Sequence, residues 1–375
     1  GIQSVLFNHL QTIFSYKTFS EPDLLDAGLK KWVAKNEKEV YFQELQIRAG
    51  AGSLPLGFQA TSGNSTPVGI VTPGYGLKYL FSTLRKNAAT NDTFKLALQV
   101  AALDYSNDVI KTDYVTPLRI AEALNFPVIT PINHNEVKHT AAFSLFLSQY
   151  GSAIHLFDGA NYAKTLVSSK DEQSFTAIPP VSTIANAQKT DLDHFLSAFN
   201  DSSAVKIHNF KYFGSENAKT VFVTYGSLES ELFANYAENA EIGHIAIRIP
   251  FPFATDKFVA LLPKHVENVV VIGQTLTPSS KSDLQKTVVS ALKQFEKSNI
   301  QVSEFVYTPD FIWSPNAVAQ IVENHVPTVA SNSAATKDSS FVVWADDHNG
   351  ENLDLSSKLI HALSLVDGQK ISSRT

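Results

Sequence analysis

"KTVFVTYGSLESELFANYAEN", Lys219–Asn239, decides how this chain is read. Thr220 to Tyr225 is a run of β-branched and aromatic residues suited to a buried strand, Gly226 and Ser227 supply a turn, and a helical pattern follows at once. A strand that passes straight into a helix is the repeating element of an α/β sheet. Further along the chain, "IGHIAIRIPFPF" and "VENVVVIGQT" add two strands, and "QVSEFVY" adds a fourth. Between them Ser282 can cap a helix that sets Leu284, Val288, Ala291, Leu292 and Phe295 on one face. Strand and helix alternate, so a parallel sheet covered by helices is the expected packing.

The first half follows the same logic with longer loops. "TPVGIVTP" reads as a strand, "GYG" as its turn, and Leu77, Leu80, Phe81 and Leu84 as the buried stripe of the next helix. "KLALQVAALD", "FPVITPI" and "SAIHLFDG" are further strands, the last two flanking a helix around Val137 to Leu147. The pattern weakens into Ser, Pro, Ala and Gln after about Leu166, and again in "VPTVASNSAATKDSS". These breaks divide the chain into an α/β unit over 1–165, a connector over 166–215, a second α/β unit over 216–328 and the start of a third over 341–375.

Composition narrows the function. The chain has 375 residues, with 30 Lys+Arg against 36 Asp+Glu and a formal net charge of -6, so no cationic surplus awaits a nucleic-acid backbone. No apolar run approaches the roughly 18–20 residues that cross a bilayer. The chain therefore reads as soluble, with neither nucleic acid nor membrane as partner. It begins at Gly1, and is expected to be a fragment or a processed chain. Cysteine and methionine are both absent, although the chain holds 25 Phe and a normal apolar share. Disulfides, thiolate zinc sites and iron-sulfur ligation are excluded within this stretch. Exchange of Met for Leu typically costs less than about 1.5 kcal/mol, so sulfur can be removed cheaply. The paired absence suggests selection against sulfur; chance or an engineered composition would leave the same trace.

Familiar cofactor motifs are missing. "AGAGSLPLG" carries Gly50, Gly52 and Gly57, which is not G-x-G-x-x-G, and no acidic residue sits about twenty positions on to hold a ribose. In "GYGLKY", Tyr79 takes the place of the third glycine. No P-loop, H-E-x-x-H or G-x-S-x-G occurs, and His134 and His139, five apart, do not share a helix face. "DHFLSAFNDSS" reads as a solvated charge cluster.

The order of the pieces resembles the first two domains of the pyruvate:ferredoxin oxidoreductase family. "SVLFNHLQTIFSYKTFSEPDL", "QIRAGAGSLPLGF", "GSAIHLFDGANY" and "EFVYTPDFIWSPNAV" stand in that family's order. The resemblance implies a pyrimidine-type thiamine-diphosphate-binding fold followed by a transketolase C-terminal-like fold. Over the whole chain, including "HNFKYFG", "VVVIGQTL", "YTPDFIWSP" and "SKLIHALSLVDG", the sequence is also similar to the N-terminal region of the fungal-type NADPH-sulfite reductase flavoprotein subunits. That likeness implies FAD and NADPH on a downstream part of the parent chain, siroheme and a 4Fe-4S cluster on a partner β subunit, and no cofactor on this stretch. It also implies a cytoplasmic location and dimerisation or subunit docking as the work of this region. An enzyme family that makes the sulfide for cysteine and methionine gives the missing sulfur a reason.

The resemblance assigns a vestigial site. Thiamine enzymes place a glutamate beside the aminopyrimidine, just before a small-residue turn, and aligning that turn with "RAGAG" puts Arg48 in its place, next to Gly50 and Gly52. A guanidinium has five donors, no acceptor and a pKa too high to exchange protons at neutral pH. After "LQVAA", where the pyruvate oxidoreductases carry an arginine for the substrate carboxylate, this chain has Asp104. Two like charges at 4 Å repel by roughly 1–4 kcal/mol depending on screening. A different register would pair Arg48 with Glu44 along one strand. Three functions remain open from sequence: a silent assembly scaffold, an active thiamine-dependent 2-oxo-acid oxidoreductase module, and a small-anion-binding module built on Arg48 and its glycine turn.

Overall fold

The computed structural model describes residues 1–17, 25–35, 38–61, 66–88, 94–106, 109–162, 178–179, 192–203, 205–277, 280–326 and 340–343. The chain divides into two units, Gly1–Asn209 with Arg248–Pro252, and Phe210–Ile247 with Phe253–Thr375.

In chain order the first unit contains α1 (Ile2–His9), β1 (Thr12–Tyr16), α2 (Ala27–Ala34), β2 (Tyr41–Leu45), α3 (Ser53–Thr61), β3 (Val68–Pro73), α4 (Gly74–Ala88) and β4 (Leu96–Ala101). A short antiparallel pair, β5 (Leu103–Ser106) with β6 (Val109–Thr112), comes next. Then follow α5 (Val115–Leu124), β7 (Val128–Ile129), α6 (Val137–Ser148), β8 (Ala153–Phe157), α7 (Gly159–Tyr162) and α8 (Leu192–Ser202). Its sheet has six parallel strands in the order β2-β1-β3-β4-β8-β7. Parallel pairing needs crossover helices, and these bury β1, β3, β4 and β8 along their whole length. The expected stripe on α4 faces inward at Leu77, Leu80 and Leu84, while Phe81 stays half-buried beneath the Arg85 guanidinium.

The expected connector over 166–215 needs correction. Within it, α8 buries Leu192, Phe195, Leu196 and Phe199 against α6, with Phe199 and Phe143 rings 5.1 Å apart edge to face. This helix belongs to the core of the first unit. The segment Arg248–Pro252 belongs there too, because the Val128 amide donates to the Phe251 carbonyl at 2.7 Å and the Thr130 amide to the Arg248 carbonyl at 2.7 Å. That stretch of backbone covers the outer edge of β7, an edge that would otherwise present unpaired strand groups.

The second unit contains β9 (Phe210–Gly214), β10 (Thr220–Thr224), α9 (Ser227–Ala237), β11 (Gly243–Ile247), α10 (Thr255–Leu261), β12 (Asn268–Gln274), α11 (Asp283–Gln294), β13 (Gln301–Tyr307), α12 (Pro315–His325) and β14 (Ser340–Val343). The sheet order is β14-β13-β12-β10-β11-β9, all parallel except β9, which runs antiparallel to β11. Strand β9 therefore lies inside the stretch expected to be connector. Ser282 caps α11 as its sequence predicts, accepting from the Gln285 amide at 3.0 Å. Leu284, Val288, Ala291 and Leu292 turn inward, whereas Phe295, at the end of the helix, is exposed. The third unit expected from 341 begins differently: residues 340–343 form β14, a strand of the second sheet, and 344–375 lie outside the described residues.

The α/β class with parallel sheets flanked by helices is thus the observed architecture. Among the described residues no helix is long and apolar enough to cross a membrane.

Candidate functional site

In an open parallel sheet, ligands bind outside the carboxyl ends of the strands, where successive crossovers depart in opposite directions. In the first unit that point lies at β1 and β3, and the turn after β2 reaches it. Gly50 takes φ +76, a conformation that L side chains rarely adopt, and the turn closes through Ala51 N–H to the Arg48 carbonyl and Ser53 N–H to the Gly50 carbonyl, both 3.0 Å. The hydroxyl of Tyr16, at the end of β1, donates to the Ala51 carbonyl, and burial pushes that phenol well above its ordinary pKa. Gly52 lets α3 approach α4, since a Cβ there would stand 3.2 Å from Thr83 Cβ. Buried Ile47 lies against the first turn of α4. Ile47, Ala51 and Gly52 of this turn are thus buried, while Arg48, Ala49 and Gly50 are exposed.

Arg48 is exposed and lines the cavity beside the turn. No described residue makes an ion pair or hydrogen bond with its guanidinium. The register that would join it to Glu44 is not realised: Glu44 pairs with Lys30 at 2.6 Å and Lys17 at 3.3 Å. Partial burial pushes the Glu44 carboxyl upward, and the two lysines together outweigh that and hold it below its usual range. Beside these residues an open cavity of about 480 Å³ is lined by Glu44, Leu45, Arg48, Gly50, Ser53 and Leu54 among others.

Asp104 is elsewhere. It follows β4 and pairs with Lys78 of α4 at 3.4 Å. Arg48 and Asp104 both lie at carboxyl ends, but β2 and β4 are three strand spacings apart, roughly 14 Å. The structure brings Arg48, Gly50 and Gly52 together and leaves Asp104 out. Among the described residues no three His, Asp or Glu side chains converge as metal ligands.

No protein-family model matches the chain. Among curated proteins it is 43% identical over 391 aligned positions, its entire length, to the "Sulfite reductase [NADPH] flavoprotein component" of Saccharomyces cerevisiae. The chain is homologous to the N-terminal part of that component. The "Probable sulfite reductase [NADPH] flavoprotein component" of Schizosaccharomyces pombe is 26% identical across 95% of the chain. The chain spans only about a third of these relatives, 37% and 36% of their lengths. "Pyruvate:ferredoxin oxidoreductase" of Moorella thermoacetica is 24% identical over 156 residues, 40% of this chain and 13% of that protein.

The chain also holds polar groups that motif reading missed, because they are buried singly on different elements. On β8, His155 is fully buried; its Nδ1 donates to Gln99 Oε1 at 2.8 Å, which leaves Nε2 to accept from the Thr140 hydroxyl at 2.9 Å. In the second unit, His244 Nε2 meets the Thr224 hydroxyl at 2.9 Å, and Thr224 meets Ser230 at 2.8 Å. Burial pushes both imidazoles down to about 3. Between about pH 3 and 6.5 each stays neutral when folded and gains a proton on unfolding. Their contribution is complete above pH 6.5 and is lost progressively as pH falls toward 3. Linkage sets the loss at about 2 kcal/mol per histidine by pH 5. Urea midpoints measured at pH 7.5 and pH 5 should fall accordingly, with a smaller drop in His155→Gln; an equal drop in the variant would remove His155 from the account.

A buried ion pair was missed for the same reason. Arg248 clamps Glu136 through Nε at 2.7 Å and Nη2 at 2.6 Å, and its side chain is only 4% exposed. The two residues are 112 positions apart, so no local spacing announces them.

Proposed function

We propose that this region is a non-catalytic assembly part of an assimilatory NADPH-sulfite reductase, the enzyme that reduces sulfite to sulfide for cysteine and methionine synthesis. Its parent chain would carry FAD and NADPH on other segments and would work with a siroheme-containing partner subunit. Homology to the sulfite reductase flavoprotein components supports the enzyme, and the absence of both Cys and Met agrees with it.

One observation carries the non-catalytic reading: Ile47, Ala51 and Gly52 of the turn are buried at the carboxyl edge, and the cavity left beside them is lined by a cation, Arg48, and a carboxylate, Glu44, that two lysines already hold. Thiamine diphosphate does not fit these residues. Its activation needs a carboxylate that can take up and return a proton, and the carboxylate of this cavity, Glu44, is engaged by two lysines. This region therefore performs no thiamine chemistry in this reading, and its two units serve assembly.

Isothermal titration of the protein with thiamine diphosphate and Mg²⁺ tests it. No heat is expected from the unmodified chain. Saturable micromolar binding would overturn the reading and favour an active thiamine module.

A further inference from the structure

We infer that the outer edge of β2, with the adjoining cavity, receives an extended acidic segment of the partner subunit. The inference rests on the assembly reading above and gives it a place and a chemistry.

Strand β2 is the outermost strand of its sheet, and no described strand pairs with its outer side. The Tyr41 amide donates to Gln11 and the Leu45 carbonyl accepts from Lys17, both on the β1 side. Backbone groups alternate along a strand, so those of Phe42 and Glu44 point outward and can receive another strand.

An apolar strip runs beside that edge. Leu54 and Phe58 are four apart on one face of α3, and Tyr41 and Leu45 are four apart on one face of β2. Tyr41 and Phe58 stack with rings 5.3 Å apart and 15° between planes, and Leu45 and Leu54 line the cavity. Tyr41 is 47% exposed and Leu54 45%. Exposed aromatic and aliphatic side chains in a row with a free strand edge are what alternate side chains of an added strand would cover.

Charge selects the occupant. The carboxylate in the cavity, Glu44, already has two lysines, while Arg48 has no partner among the described residues. The uncompensated charge is therefore positive, and a guanidinium's planar fork matches a carboxylate on two donors. An Asp or Glu side chain, placed where the added strand passes Arg48, satisfies it. A second copy of this chain is a poorer match. Its own edge would bring a second Arg48 and, in Glu44, a carboxylate that two lysines already hold, so it supplies no free acid for the guanidinium.

The test is the affinity of the full-length chain for its cognate siroheme subunit, measured by biolayer interferometry with Arg48→Glu and Arg48→Lys beside the unmodified protein. Arg48 is exposed and outside the packed turn, so both variants should fold, which circular dichroism would verify. About tenfold or greater weakening by Arg48→Glu, a smaller loss for Arg48→Lys, and weakening of the unmodified pair by added salt are expected. Normal complex formation by Arg48→Glu would overturn this inference and leave the assembly reading standing. Failure of the unmodified chain to bind the siroheme subunit would overturn both. A change only in the chain's own oligomeric state, read by light scattering, would assign the edge to a second copy and overturn the acidic-partner inference.

Discussion

Arg248→Ala lowers the stability of the first unit by about 3–5 kcal/mol, although residue 248 lies beyond a strand of the second. The guanidinium is buried and makes two short bonds to Glu136, so its removal leaves a carboxylate stripped of its counter-charge in a largely dry setting. The same change loosens the segment that covers β7. Hydrogen exchange reads this directly: the amides of Val128 and Thr130, which donate to Phe251 and Arg248 carbonyls, should lose protection together with β8. The double variant Arg248→Met, Glu136→Leu should recover much of the loss, because two apolar groups leave no orphaned charge. Unchanged protection of Val128 in Arg248→Ala would show that the ion pair carries no such weight.

Gly214→Ala should be as severe in the second unit. Gly214 ends β9 at φ +91, and a Cβ there would stand 2.2 Å from the Ile242 carbonyl oxygen and 3.1 Å from the Ala237 carbonyl oxygen. Both are backbone atoms, one at the end of α9 and one beside β11, so neither can swing aside as a flexible side chain would. Strain at positive φ together with this overlap amounts to about 3 kcal/mol or more. Urea denaturation should show the loss. Gly57→Ala supplies the contrast: the position is helical, exposed and open, and alanine there should stabilise by about 0.5–1 kcal/mol. Equal effects of the two substitutions would refute the steric argument.

The alternation of strand and helix was legible because each element carries its own period. "TVFVT" and the stripe on α11 announce themselves within a dozen residues. Helix α8 was legible as well and was misread: Leu192, Phe195, Leu196 and Phe199 have helical spacing, but the Asp, His, Asn and Ser between them suggested a solvated cluster. The turn at Arg48, Gly50 and Gly52 was visible as a turn, since small residues mark one. What could not be read was distance across the sheet. Arg48 follows β2 and Asp104 follows β4, and only the strand order shows that two strands lie between them. The coverage of β7 by Arg248–Pro252 was equally invisible, because "RIPFP" carries no local sign of a neighbour more than a hundred residues away.

That five-residue visit has a consequence for inheritance. Because the chain enters the first unit, leaves it at β9, returns at Arg248 and leaves again at Phe253, no single breakpoint separates the two units as complete objects. A gene rearrangement that carried off residues 1–209 would strand Glu136 without its arginine and bare the edge of β7. The two units are therefore heritable only as a pair. Shuffling can move them together to a new context, but swapping either one alone requires coordinated breaks at three junctions, 209/210, 247/248 and 252/253.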